Sequence, residues 1–164
     1  MKRIYYIGLG SNLGDSKELI KKAYKQVQDR IGKILRQSSF YESEPWGFEA
    51  DNNFVNSVIS CESDHEPQWV MQELLAIEND LGRVRSDNKN YESRKIDLDI
   101  VAIGDEVLKT NRLVIPHPQM HLRAFVLIPL QEIEPEWRHP QLEQGLEEML
   151  DGLKDSVNIR RLDD

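Results

Sequence analysis

Apolar positions along this chain switch between a strand-like and a helical period, and the switches mark out its elements. Arg3 to Leu9 is a nearly continuous apolar run that reads as a buried strand, ending in Gly8-Leu9-Gly10. Leu19, Ile20, Ala23, Tyr24, Val27 and Ile31 then recur at helical spacing. Asp15 and Glu18 resemble a capping box ahead of this helix, and Gly32 follows it as a stop. Lys33 to Glu42 reads as a second strand. A loop from Ser43 to Asn53 carries Pro45 and Gly47, and a further strand runs from Phe54 to Cys61. Pro67 opens a helix whose buried face is Val70, Leu74, Ile77 and Leu81, and Gly82 closes it. Lys95 to Ile103 is the clearest strand, with a turn at Gly104-Asp105 leading into Val107-Leu108. Pro116 and Pro118 hold His117 in a rigid loop, and Ala124 to Ile133 and Leu142 to Leu153 are predicted helical.

The order strand, helix, strand therefore occurs twice. This pattern predicts an α+β, ferredoxin-like sandwich, with helices on one face of a largely antiparallel sheet. The C-terminal segment is expected as a helical addition to that core. The chain has 164 residues, a length that suits one domain spanning 1–164 and needs no disulfide or metal staple to fold. Its single cysteine, Cys61, lies in an apolar run and reads as a buried core thiol in a reducing compartment. No apolar run approaches the length of a membrane span, and the N-terminal apolar stretch breaks at Gly8. A cytoplasmic protein without a secretory leader or membrane contact is expected.

Charge sharpens this picture. The formal net charge of −8 argues against a general nucleic-acid binder. Yet residues 83–95 hold Arg83, Arg85, Lys89, Arg94 and Lys95 against Asp87 and Glu92. A basic island on an acidic chain suggests a local anion site.

The island runs into Ile96-Asp97-Leu98-Asp99-Ile100. Strand side chains alternate between faces, so the three apolar residues face the core and both carboxylates face away, about 6.5–7 Å apart. Two bare charges at that distance repel by about 2.5 kcal/mol at an effective dielectric near 20. Divalent cations between them reverse the sign, and a pair of cations about 3.5–4 Å apart would fit, as in two-metal phosphoryl-transfer sites. An isolated Asp-x-Asp is more often the solvated face of an amphipathic strand; the neighbouring arginines favour a polyphosphate clamp. Gly8, Gly10 and Gly14 do not match phosphate-loop or dinucleotide spacing, and a tight strand-to-helix turn is the better reading. His117 alone is more often a surface histidine than a phosphate ligand. Phe54 and Asn56 share one face of their strand, as ordinary core and edge or as a slot for a flat heterocycle.

Taken in order, Gly10-Ser11-Asn12-Leu13-Gly14, Ser39-Phe40-Tyr41 with Pro45, Phe54-Val55-Asn56, Gly82-Arg83-Val84-Arg85, Arg94 through Ile100, Pro116-His117-Pro118 and Arg123-Ala124-Phe125 resemble the hydroxymethyl-dihydropterin pyrophosphokinases of folate synthesis. The resemblance covers residues 4 to about 135. It implies transfer of a pyrophosphoryl group from ATP to 6-hydroxymethyl-7,8-dihydropterin, with AMP released. It implies that Asp97 and Asp99 bind two magnesium ions, with Asp97 also near the pterin hydroxymethyl group. Arg83 and Arg94 would clamp the triphosphate, and His117 and Arg123 would add phosphate contacts. Glu78, Arg85, Ile100, Arg112 and Val114 would surround or support the adenosine. Phe54 and Phe125 would sandwich the pterin, while Asn56 and the stretch from Ser43 through Glu44 to Trp46 would read its edge. The loop carrying Trp46 is expected to close over the pterin. The family's usual Trp-Gly-Pro-like stretch before the arginine is here Tyr91-Glu92-Ser93. A loose association with other folate enzymes stays open. The alternative reading is a palm-type nucleotidyl transferase or cyclase, which would release pyrophosphate.

Overall fold

The computed structural model describes residues 1–12, 15–43, 53–82, 96–153 and 158–163. The first strand, β1 (Arg3–Ser11), lies between β4 (Phe54–Ser63) and β5 (Asp97–Ile103), antiparallel to both. Being central, it is covered on both faces, which is why its sequence is apolar almost throughout. Tyr5, Ile7 and Leu9 enter one core and Tyr6 enters the other.

The predicted strand 33–42 is two strands, β2 (Lys33–Gln37) and β3 (Tyr41–Ser43). Both pair antiparallel with β4, at different stretches of it. The break lies at Ser38, whose N–H donates to the Val58 carbonyl at 2.9 Å while its hydroxyl accepts the Val58 N–H at 2.9 Å. Phe40 can then drop into the first core.

Helices α1 (Ser16–Arg30) and α2 (Pro67–Gly82) supply Ile20, Ala23, Tyr24 and Val27, and Val70, Leu74 and Ile77, to that first core. Asp15 stands at the N-cap of α1 but makes no side-chain cap hydrogen bond, so the expected capping box is not formed. The second face of the sheet is covered as well, contrary to the expectation of helices on one face. Helices α3 (Ala124–Ile133) and α4 (Leu146–Asp151) pack there, with Val126, Leu127, Leu130, Leu146 and Met149 against Tyr6, Val58 and Val101. Trp137 closes this core, its indole N–H donating to the Gly104 carbonyl at 2.8 Å.

The C-terminal addition is only partly helical. Within the predicted 142–153 helix, α4 covers 146–151, with Gly145 at its N-cap. The chain then returns to the sheet as a strand, Ile159–Arg161, antiparallel to β3. Two short strands, Leu108–Lys109 and Val114–Ile115, pair separately; numbered in chain order these are β6 and β7, and Ile159–Arg161 is β8. Cys61 is fully buried in the first core, as expected. Among the described residues no helix is long and apolar enough to cross a membrane.

Candidate active site

The site is built on the second face of the sheet, at the end of β1 that its packed helices leave open. In register, Asp97 of β5 pairs with Gly10 of β1, Gly10 with Asn56 of β4, and Asn56 with Tyr41 of β3. Asp99 pairs with Gly8, and Gly8 with Val58. Side chains at positions two apart on a strand share a face. Asp97, Asp99, Phe54 and Asn56 therefore project together, over a floor where β1 offers only Gly8 and Gly10. A Cβ added to Gly10 would stand 2.6 Å from Asn56 Oδ1. The glycines that looked like a turn signal thus have a second role, clearing space between the carboxylates and the amide.

A bulge sets the phase of β5. Tyr6 pairs with Ala102 and Ile7 with Ile100, leaving Val101 as the extra residue. Val101 and Ala102 both enter the second core, while Ile96, Leu98 and Ile100 enter the first. Asp97 and Asp99 are consequently held exposed on the open side. The Val101 carbonyl accepts the His117 N–H at 2.8 Å, which anchors the proline-flanked loop beside the carboxylates. On the outer edge of β5, the Leu98 N–H donates to Glu78 Oε2 at 2.6 Å, so a side chain from α2 satisfies a sheet-edge donor.

Two cavities meet here. The first, about 600 Å³, is lined by Gly8, Gly10, Ser43, Phe54, Asn56 and, across from them, Arg123 and Phe125. The Asn56 amide donates to Ser43 Oγ at 3.5 Å, and the Arg123 guanidinium lies 5.7 Å from the centre of the Phe125 ring. The second cavity, about 370 Å³, is lined by Glu78, Ile100, Arg112 and Val114, with Leu75 and Asn111 beside them. Asp97, Asp99 and His117 line both.

His117 is held in one tautomer. Its Nδ1 accepts the Gln119 N–H at 3.1 Å, which leaves Nε2 to carry the proton. Burial pushes its pKa below the ordinary histidine value; the Arg123 charge pushes the same way and Asp99 works against both. Burial and Arg123 thus favour the neutral imidazole, with its proton on Nε2.

Of the predicted residues, the structure brings Asp97, Asp99, His117, Arg123, Ser43, Phe54, Asn56 and Phe125 to the first cavity. It brings Glu78, Ile100, Arg112 and Val114 to the second. Arg123 opens onto the cavity that holds the two phenylalanines. Arg83, Arg85, Arg94, Glu44 and Trp46, and with them the predicted loop closure, lie outside the described residues. Sequence reasoning missed the glycine floor, for which alternate glycines on a strand were the available signal. It also missed Asn158 and Ile159, which line the first cavity from β8 and its approach.

Among the described residues no three His, Cys, Asp or Glu side chains cluster to hold a metal. Two carboxylates on one strand are a poor cage for a resident ion. They suit magnesium, which takes one or two carboxylates and fills its remaining positions with water and substrate phosphate oxygens.

Known proteins resemble this chain over most of its length. A family model described as 7,8-dihydro-6-hydroxymethylpterin-pyrophosphokinase (HPPK) matches residues 6–135. The 2-amino-4-hydroxy-6-hydroxymethyldihydropteridine pyrophosphokinase of Porphyromonas gingivalis is 43% identical over 141 residues, covering 84% of this chain and 95% of the relative. The enzyme of the same name from Aquifex aeolicus is 38% identical over 143 residues, covering 87% and 88%. The structure of Plasmodium falciparum HPPK-DHPS, wild type with pteroate, superposes with a TM-score of 0.78 at 15% identity. It covers 98% of this chain, which spans 46% of that solved chain, and at this identity the likeness speaks for the fold. This chain belongs to the 7,8-dihydro-6-hydroxymethylpterin-pyrophosphokinase family.

Proposed function

We propose that the chain carries out its family's pyrophosphoryl transfer with the pterin in the first cavity, the adenosine in the second, and the polyphosphate across Asp97, Asp99 and His117. The observation that carries this reading is that those three residues line both cavities. A phosphoryl-transfer site needs two substrates that meet in line at one charged junction.

Phe54 and Phe125 offer aromatic faces to the pterin ring, and Asn56 offers both a donor and an acceptor to its polar edge. The Cα atoms of Asn56 and Asp97 stand about 10 Å apart across two strand spacings. That span suits a two-ring heterocycle with its hydroxymethyl arm at Asp97. Ser43, Glu44 and Trp46 are assigned to the same edge. Ile100 and Val114 give the adenine an apolar slot, with Arg112 lining the same cavity and Arg85 assigned to the nucleoside in this reading. Glu78 acts on β5 itself, through the Leu98 N–H, and so positions the carboxylate strand.

Asp97 and Asp99 would hold two magnesium ions, which when bound would neutralise the polyphosphate and draw charge from the transferring group. The hydroxymethyl oxygen attacks the β-phosphorus of ATP and gives up its proton to solvent, the bond from that phosphorus to the α–β bridging oxygen breaks, and AMP leaves with that oxygen. Asp97 is placed by this assignment to orient the hydroxyl and receive its hydrogen bond. His117 donates from Nε2 to a phosphate oxygen, and Arg123 adds positive charge. Arg83 and Arg94 complete the clamp in this reading. No covalent enzyme intermediate is required.

The strand order β5-β1-β4-β2, antiparallel throughout, supports reading the core as a ferredoxin-like sandwich. We read residues 1–164 as one pyrophosphokinase domain, cytoplasmic, with ATP and hydroxymethyl-dihydropterin as its partners, and with room for a loose association with other folate enzymes. The test is to mix the protein with ATP, magnesium and 6-hydroxymethyl-7,8-dihydropterin and identify the products. AMP with the pterin pyrophosphate is expected. Pyrophosphate released without pterin turnover would overturn the reading in favour of palm-type nucleotidyl transfer.

A further inference from the structure

The first cavity has a wall that lies outside residues 6–135, the stretch matched by the family model. Ile159 of β8 pairs with Ser43 of β3, and Ser43 pairs with Phe54 of β4. These three residues form a cross-strand row two residues along from that of Asn56, and all three line the cavity. Asn158 lines it too, at the exposed rim. The strand is fastened on several sides. The Arg160 guanidinium donates to Glu42 Oε1 at 2.6 Å, and Arg161 stands 3.9 Å from Glu132 Oε2. The Leu162 N–H donates to the Phe40 carbonyl at 2.8 Å, and Lys17 Nζ to the Asp163 carbonyl at 2.6 Å. A cavity wall tied down in this way is preorganised.

We propose that β8 is a specificity wall of the substrate pocket. Ile159 packs against the flank of the bound heterocycle beside Phe54, and Asn158 presents its amide to the heterocycle's polar edge. An apolar flank with one convergent amide is what a flat ligand with a hydrogen-bonding rim requires. The inference rests on the assignment of the pterin to this cavity.

The experiment measures the affinity of 6-hydroxymethylpterin in the presence of magnesium and a non-hydrolysable ATP analogue, and separately the affinity of the ATP analogue alone. Ile159→Ala should weaken pterin binding by about tenfold, the scale of a lost apolar contact in a pocket. Ile159→Val, which keeps most of that contact, should stay within about twofold of the parent, and Asn158→Ala should lose about fivefold. Affinity for the ATP analogue should stay within about twofold in all three. Phe54→Ala is the reference for the pocket itself. If it weakens pterin binding while Ile159→Ala and Asn158→Ala do not, the wall is overturned and the pocket assignment stands. If it too leaves pterin binding unchanged, the pocket assignment fails and the wall with it. Equal loss of both ligands in Ile159→Ala would make β8 a general support and overturn its specificity role.

Discussion

Asp97 and Asn56 lie in one cross-strand row with only Gly10 between them. A carboxylate assigned to catalysis and an amide assigned to recognition are thus fixed to each other through rigid sheet, not through a loop. The glycine keeps the space between them open.

That spacing makes Gly10→Ala an informative change. The new Cβ would meet Asn56 Oδ1 at 2.6 Å, so Asn56 must turn away or the strands must part. Overpacking of this kind costs about 1–3 kcal/mol. Pterin affinity is expected to fall by about tenfold, equivalent to roughly 1.4 kcal/mol. ATP affinity should hold, because Gly10 lines only the first of the two cavities. Titration of each ligand checks this. Unchanged pterin binding would show that the glycine floor carries no recognition.

Glu132 of α3 fastens the strand that carries Ser43. It accepts hydrogen bonds from Tyr41 Oη at 2.6 Å, Ser39 Oγ at 2.8 Å and the Ser39 N–H at 2.9 Å. Burial alone would raise its pKa, but these bonds, with the Arg161 charge, hold it below the ordinary carboxylate value. A depressed carboxylate contributes stability above its unfolded pKa and loses it as pH falls through the folded one. Glu132→Gln is expected to destabilise the protein at pH 7 by about 1 kcal/mol, since the part-buried Tyr41 hydroxyl and the exposed Ser39 donors lose a charged acceptor. The gap between parent and variant should shrink as pH falls below the usual carboxylate range. Denaturant melts at neutral and acid pH measure it, and a gap that does not narrow would contradict the assignment.

Cys61 is buried, and burial pushes its thiol up to about 12. Its thiolate fraction at neutral pH is then lower by on the order of a thousandfold than in the unfolded chain. Labelling by a thiol reagent is expected to track unfolding in denaturant. Rapid labelling of the native protein would contradict the burial.

Much of this was legible in the chain because its period changes are clean. The alternation Ile96-Asp97-Leu98-Asp99-Ile100 predicts both the strand and the outward carboxylates, and both are found. Phe54 and Asn56 share a face and a cavity as read. The break at Ser38 was hidden because a serine hydroxyl standing in for a backbone acceptor leaves no periodic trace. The second helical layer was missed as such because α3 is apolar nearly all round, a pattern that shows burial but not which sheet face is covered. Strand β8 is three residues long and mostly exposed, too short to show a period. Its pairing with β3 is a long-range contact that no local signal encodes.

The central claim is that the junction of the two cavities, at Asp97 and Asp99, is where pyrophosphoryl transfer occurs. Turnover of Asp97→Asn and Asp99→Asn at saturating ATP, magnesium and hydroxymethyl-dihydropterin, with melting temperatures recorded alongside, tests it most directly. Both side chains are exposed, so both variants should fold with melting temperatures near the parent's. Turnover should fall by on the order of a thousandfold or more, the several kcal/mol that bound metal supplies to the transition state. Turnover within about tenfold of the parent in either folded variant, roughly 1.4 kcal/mol, would contradict the account.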